Sequence, residues 1–223
     1  MPRLLRALIA VGLAVLLALG VAFAVVGPSS ATGGPGGGAG GHAPGAHPGA
    51  VRAQITFVKR PASPWNSRIT WVARKQRDDG TWAVVSRDSW RAGSGFPGGS
   101  ATNTCVKGHG WLPNGRYTLR QYDDYAGNLI HGRAFRLSDK RCGNGTLRED
   151  LFIHTEAAAG NGQCADGPGD QLCRWEFPKI NDYTSHGCIK MSPSAVLALT
   201  RDYHRFFKAG VTYPTSRVSL LVR

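Results

Sequence analysis

The chain has 223 residues, 42% of them hydrophobic, and carries 27 Lys and Arg against 14 Asp and Glu, a formal net charge of +13. That length suits one domain with appendages and does not call for a second. The positive charge favours polyanionic partners, but the basic residues are scattered and no recognised nucleic-acid motif occurs, so nucleic acid is not an expected partner.

Arg3 and Arg6 precede an apolar run from Ala7 to Val26, and Ser29, Ser30 and Ala31 follow as small residues. This is the pattern of a secretory signal. The run also approaches the roughly 20 apolar residues that span a bilayer. Residues 1–31 are therefore expected to be either a cleaved signal peptide or a retained N-terminal anchor, with membrane contact only in the second case. Cleavage removes Arg3 and Arg6 and lowers the charge by two, to +11. No cysteine precedes Cys105, which excludes a lipid anchor on an N-terminal cysteine. Residues 32–50 are rich in Gly, Pro and Ala, a composition that buries nothing and reads as a flexible linker. His42 and His47 within it are expected to be solvated rather than to bind metal.

From Val51 onward, short β-prone runs alternate with turn residues. Val51–Lys59, Arg68–Arg74, Thr81–Val85, Arg116–Tyr122, Arg133–Leu137, Leu147–His154 and Arg217–Arg223 read as strands. Turn chemistry lies at Asp79-Gly80, Pro113-Asn114-Gly115 and Ala126-Gly127-Asn128, and Ala92 to Ser100 reads as a loop. Trp71, Trp82, Trp90 and Trp111, spread through these runs, are expected as core or half-buried packing rather than sugar platforms. Ser192 is placed as the N-cap of a helix with Pro193 at its first position. Val196, Leu197, Leu199 and Tyr203 supply its apolar face, and Gly210 is expected to end it. The expected fold class is mainly β with one substantial helix, in a single domain over residues 51–223.

Five cysteines, Cys105, Cys142, Cys164, Cys173 and Cys188, suggest two disulfides and one free thiol in an exported chain. With Cys188 free, three pairings remain open, of which Cys105 with Cys142 and Cys164 with Cys173 close the most local loops. Cys188 lies in Ser185-His186-Gly187-Cys188-Ile189-Lys190-Met191. A thiol near its free pKa of about 8.5 needs a neighbouring base to become the nucleophilic thiolate. Gly187 permits close approach of backbone N–H groups to a reacting carbonyl, and Ser185 is able to bond the local backbone. Upstream, the apolar run Leu151-Phe152-Ile153 delivers a second imidazole, His154.

A histidine at a strand end, a variable gap and then Ser-His-Gly-Cys with an apolar residue resemble the catalytic domain of the L,D-transpeptidase (YkuD-like) family of bacterial cell-wall enzymes. The resemblance extends over about Leu112 to Arg223, and Val51 to Trp111 fits only by strand pattern. It implies a β-sandwich-like fold and acyl transfer on peptidoglycan stem peptides. In that chemistry Cys188 is the nucleophile and His154 the base. The N–H groups of His186, Gly187 and Cys188 are oxyanion donors, and no metal or organic cofactor is required. His186 either moves protons or orients the loop. Lys190 replaces the Arg or Asn often found there, and reads either as a partner for a substrate carboxylate or as an exposed lysine. Thr155 and Glu156 depart from the glycine many members carry after the histidine. The gap to Ser185 is also longer than the family's short form, which suggests a flap over Thr155–Thr184 pinned by Cys164 and Cys173.

The expected partners are therefore peptidoglycan stem peptides, with anionic cell-wall polymers a further possibility raised by the charge. The expected location is outside the cytoplasmic membrane. Two other outcomes share this pattern: a hydrolase in which water resolves the thioester, and a catalytically silent wall-binding module. Papain-like and NlpC-type peptidases place Cys before His, and the sortase signature is absent. A zinc site using His154, His186 and Cys188 would sequester the nucleophile.

Overall fold

The structure is a computed structural model that describes residues 49–157, 163–164 and 183–223. The expected signal or anchor, nearly all of the linker and most of the expected flap lie outside these residues. No helix among the described residues is long and apolar enough to cross a membrane.

The domain is mainly β. Its first sheet is built on β1 (Val51–Val58), in which Ala53, Ile55 and Phe57 point into the core while Arg52, Gln54 and Thr56 point away from it. This is the period-two alternation of a half-buried strand. β2 (Ser67–Gln76) runs antiparallel beside it, and β3 (Trp82–Ala92) pairs antiparallel with β2, with an irregularity in register at Ala73/Arg74. On the other side β11 (Val218–Val222) lies parallel to β1, and β4 (Gly115–Tyr117) closes the order β3-β2-β1-β11-β4. The second sheet has the order β10-β9-β6-β5, from β5 (Leu119–Ala126), β6 (His131–Leu137), β9 (Phe152–His154) and β10 (Ile189–Lys190). A two-stranded ribbon, β7 (Lys140–Arg141) with β8 (Leu147–Arg148), stands apart from both.

Several runs read as single strands are divided or extended. Thr81–Val85 continues to Ala92, because the polar Ser86-Arg87-Asp88-Ser89 lies on an edge strand where only one side pairs with a neighbour. Arg116–Tyr122 breaks at Thr118: Tyr117 belongs to the first sheet and Leu119 to the second, and both are buried in the shared core. Leu147–His154 splits into β8 and β9 around Asp150, whose φ of 51° no strand tolerates. Helix α1 (Pro193–His204) starts as expected, with Ser192 Oγ accepting from the Ala195 N–H, but stops at a cap on Arg205 well before Gly210. Gly210, at φ 73°, sits in the turn beyond. Ala195, rather than the half-buried Leu197, joins Val196, Leu199 and Tyr203 on the buried face.

One core joins both sheets and the helix. Trp71 of β2 lies 6.4 Å from Tyr203 of α1 and 6.3 Å from Phe207, and Phe135 of β6 lies 5.5 Å from Tyr203. Trp71 and Trp111 are buried, while Trp82 and Trp90 are half-buried. Cys105 and Cys142 form a disulfide across a separation of 37 residues, a closure worth about 3.9 kcal/mol in the chain-entropy picture. Cys164 is also disulfide-bonded; Cys173, its expected partner, lies outside the described residues. What is described of the long insert is its base: Gln163 pairs with Ala157 and its amide donates to the Arg133 carbonyl of β6 at 3.1 Å.

The burial pattern separates the tryptophans by role. Trp71→Ala should lower the unfolding free energy by about 3–5 kcal/mol, and Trp82→Ala by about 1 kcal/mol or less. Denaturant titrations of both variants check this, and equal losses would show that Trp71 is not a keystone of the core.

Candidate functional site

β9 and β10 lie parallel with Ile153 opposite Ile189 and His154 opposite Lys190. Extending that register by one residue sets Cys188 beside Phe152, consistent with the Phe152 backbone N–H acting on the sulfur. Side chains two apart on a strand share a face. The register therefore brings Cys188, Lys190 and His154 to one face at the edge of the second sheet.

His154 is half-buried, and its Nδ1–H donates to the Thr155 carbonyl at 2.6 Å. A carbonyl only accepts, so Nδ1 carries the proton and Nε2 keeps its lone pair, the form a base requires. Burial pulls its pKa down to about 4; the Thr155 bond opposes this, Lys190 adds to it and Glu156 opposes. Cys188 is the free thiol among the described cysteines, with Sγ 3.6 Å from the Asp150 carbonyl. The residue as a whole is half-buried, yet the protein packed around its sulfur makes burial the dominant influence and pushes the thiol up to about 11. The Phe152 N–H and the Arg148 guanidinium oppose that rise, and the Asp150 carboxylate reinforces it. Among the described residues, neither side chain hydrogen-bonds the other. Both groups are neutral around pH 7.

His186 is exposed and faces elsewhere. Its Nδ1–H donates to the Gly108 carbonyl at 2.5 Å, and its ring stacks on Phe96 at 4.8 Å with 12° between planes. These contacts tie it to the loop of residues 93–114. Ser185 is buried, donates its hydroxyl to the Cys188 carbonyl at 2.5 Å, and donates its N–H to Gly95 O at 3.0 Å. Among the described residues, no partner appears for the backbone N–H groups of His186, Gly187 and Cys188. With Gly187 at φ 112° they form a run of free donors ahead of the sulfur.

Lys190 is buried, with its Nζ in an ion pair with Glu156. The exposed-lysine reading is thus corrected, because Glu156, two residues beyond the end of β9, pairs with Lys190 on the neighbouring β10. Glu156, noted only as a departure from the family pattern, is the residue that occupies Lys190.

Sequence reasoning also missed Arg148. Its guanidinium is buried, with Nη1 donating to the carbonyls of Thr104 and Trp111 and Nη2 to Gly110 at 3.0 Å. It packs so closely under Gly187 that a Cβ there would lie 2.0 Å from Nη2 and 3.0 Å from Gly110 O. Gly187 is therefore needed to admit an arginine, in addition to any approach of substrate. Nothing local in Leu147-Arg148-Glu149-Asp150 signals this, since such a polar run reads as solvated. No group of three or more His, Cys, Asp or Glu among the described residues is arranged to hold a metal ion.

A scan against protein-family models found no match, and searches of curated proteins and of solved structures found none either.

The two shifted groups set the pH dependence of stability. An unfolded chain protonates His154 near 6.5 but the folded site only near 4, so stability falls as pH drops through that window. Unfolding lets Cys188 ionise near 9 while the folded site holds its proton to about 11, so stability also falls as pH rises through that window. Thermal melts should show the acidic limb reduced by His154→Gln and the alkaline limb reduced by Cys188→Ser. Alkylation of Cys188 by iodoacetamide should rise with a midpoint near 11; a midpoint near 8.5 would mean the sulfur is not sequestered.

Proposed function

We propose that the chain is an exported cysteine acyltransferase of the L,D-transpeptidase type, acting on peptidoglycan stem peptides through a β-sandwich-like catalytic domain. One observation carries this reading: a free thiol stands at the end of three backbone N–H groups that find no partner among the described residues, and shares a strand face with an imidazole whose Nδ1 is tied to a carbonyl. That is a nucleophile, an oxyanion cradle and a base in one place.

His154 Nε2 takes the Cys188 proton as the sulfur attacks the carbonyl carbon between the diamino acid and the terminal D-alanine. The oxyanion forms against the N–H groups of His186, Gly187 and Cys188. Collapse breaks the C–N bond, the leaving amine takes the proton from His154, and a thioester remains. An acceptor amine then attacks the thioester and passes its proton through His154 to the departing sulfur. A base at about 4 facing a thiol at about 11 does not hold a preformed ion pair. The thiolate therefore arises together with substrate attack, with buried Arg148 as a cation that favours it. His186 shapes the loop, and a substrate carboxylate that reaches Lys190 must displace Glu156.

The test is intact mass of the full chain incubated with a donor tetrapeptide or a carbapenem, with and without an acceptor amine. Wild type should gain one acyl group at Cys188 and Cys188→Ser none. Arg148→Met should load at least tenfold more slowly at neutral pH and recover part of that loss in alkali. An unloaded wild type with intact fold would sink the reading, and a free-acid product in the presence of acceptor would make the enzyme a hydrolase. Loading of Arg148→Met at the wild-type rate would remove the arginine from the chemistry.

A further inference from the structure

The outward face of the first sheet carries a second, separate feature. Arg52 on β1 and Arg74 on β2 stand directly opposite each other in the antiparallel register. Like charges in that position destabilise a strand pair. Among the described residues neither is in a salt bridge, although Arg52 lies over the Trp82 ring at 4.0 Å. Arg116 of β4 leans back along β11, its Nη1 donating to Ser219 Oγ at 2.6 Å. All three arginines line one cavity of about 650 Å³, shared with Gln54, Thr215, Ser216 and Ser219 and with no acidic residue.

We propose that this cavity is a binding site for a phosphate-bearing linear polyanion, held by Arg52, Arg74 and Arg116. The guanidinium fork matches phosphate oxygens bidentately, and the hydroxyls of the rim supply further donors. The arginines belong to β2, β1 and β4, and from β2 to β4 are three strand spacings, about 14 Å. A single small anion does not cover that span, whereas successive phosphates of a chain do. An anion also relieves the Arg52–Arg74 repulsion, which no salt bridge among the described residues offsets. The site lies on the opposite side of β1 from the core and shares no residue with the Cys188 site, so it stands independently of the acyl-transfer reading.

The experiment measures binding of a linear polyphosphate to the full chain by calorimetry, together with the thermal midpoint. Inorganic phosphate and pyrophosphate serve as short anions, and a single-stranded oligonucleotide of equal phosphate number as the competing macromolecule. The triple variant Arg52→Gln, Arg74→Gln, Arg116→Gln should bind polyphosphate at least tenfold more weakly. A control triple of equal charge loss, at the exposed Arg87, Arg201 and Arg223, should lose less than threefold. Without ligand, Arg74→Gln alone should melt above wild type, and polyphosphate should raise the wild-type midpoint more than that of the variant. Equal losses in the two triples would overturn the proposal, as diffuse charge would then suffice. Inorganic phosphate binding as tightly as the polymer would overturn the multivalent ligand, and tighter binding of the oligonucleotide would overturn the ligand class.

Discussion

A buried guanidinium must have acceptors, and the way Arg148 finds them organises the site. The loop of residues 93–114 turns the carbonyls of Thr104, Gly110 and Trp111 inward to meet it. The other side of the guanidinium rests against Gly187, where the missing Cβ makes the approach possible. One side chain thus joins β8, the loop and the turn before Cys188. The same loop receives the Ser185 N–H at Gly95 and the His186 ring at Gly108, and the Cys105–Cys142 disulfide ties it to the strand ribbon that carries Arg148. Leaving the Arg148 guanidinium or the Ser185 N–H unpaired would cost the desolvation of a buried polar group, so the loop and the turn hold each other in register.

The electrostatics of the resting site follow from that packing. Protein packed around the sulfur and the imidazole disfavours both charged forms, so thiol and imidazole are both neutral at rest. A protonated thiol is a poor target for oxidation. In the proposed acyl transfer, attack would be promoted by the placement of donors and of one cation where negative charge develops, rather than by a stored thiolate.

The first sheet shows how one alternation serves two ends. Inward residues of β1 and β2 build the core against α1, with Trp71 meeting Tyr203 and Phe207. Outward residues at the intervening positions bring arginines from separate strands into one cavity. Neither set is adjacent in the chain, and only strand pairing assembles them.

The sequence by itself determined the strand-rich class, the N-cap and start of α1, and a strand ending at His154. These are local matters: alternation, capping and turn chemistry act within a few residues. Tertiary structure alone decided that Arg116–Tyr122 would be shared between two sheets, that Lys190 would be buried against Glu156, and that His186 would face Phe96 and Gly108. It also decided the role of Arg148, which in the chain looks like any surface arginine. The physical reason is that a buried charge is defined by its partners, and those of Arg148 lie 37 to 44 residues away. No pattern within its own strand records them.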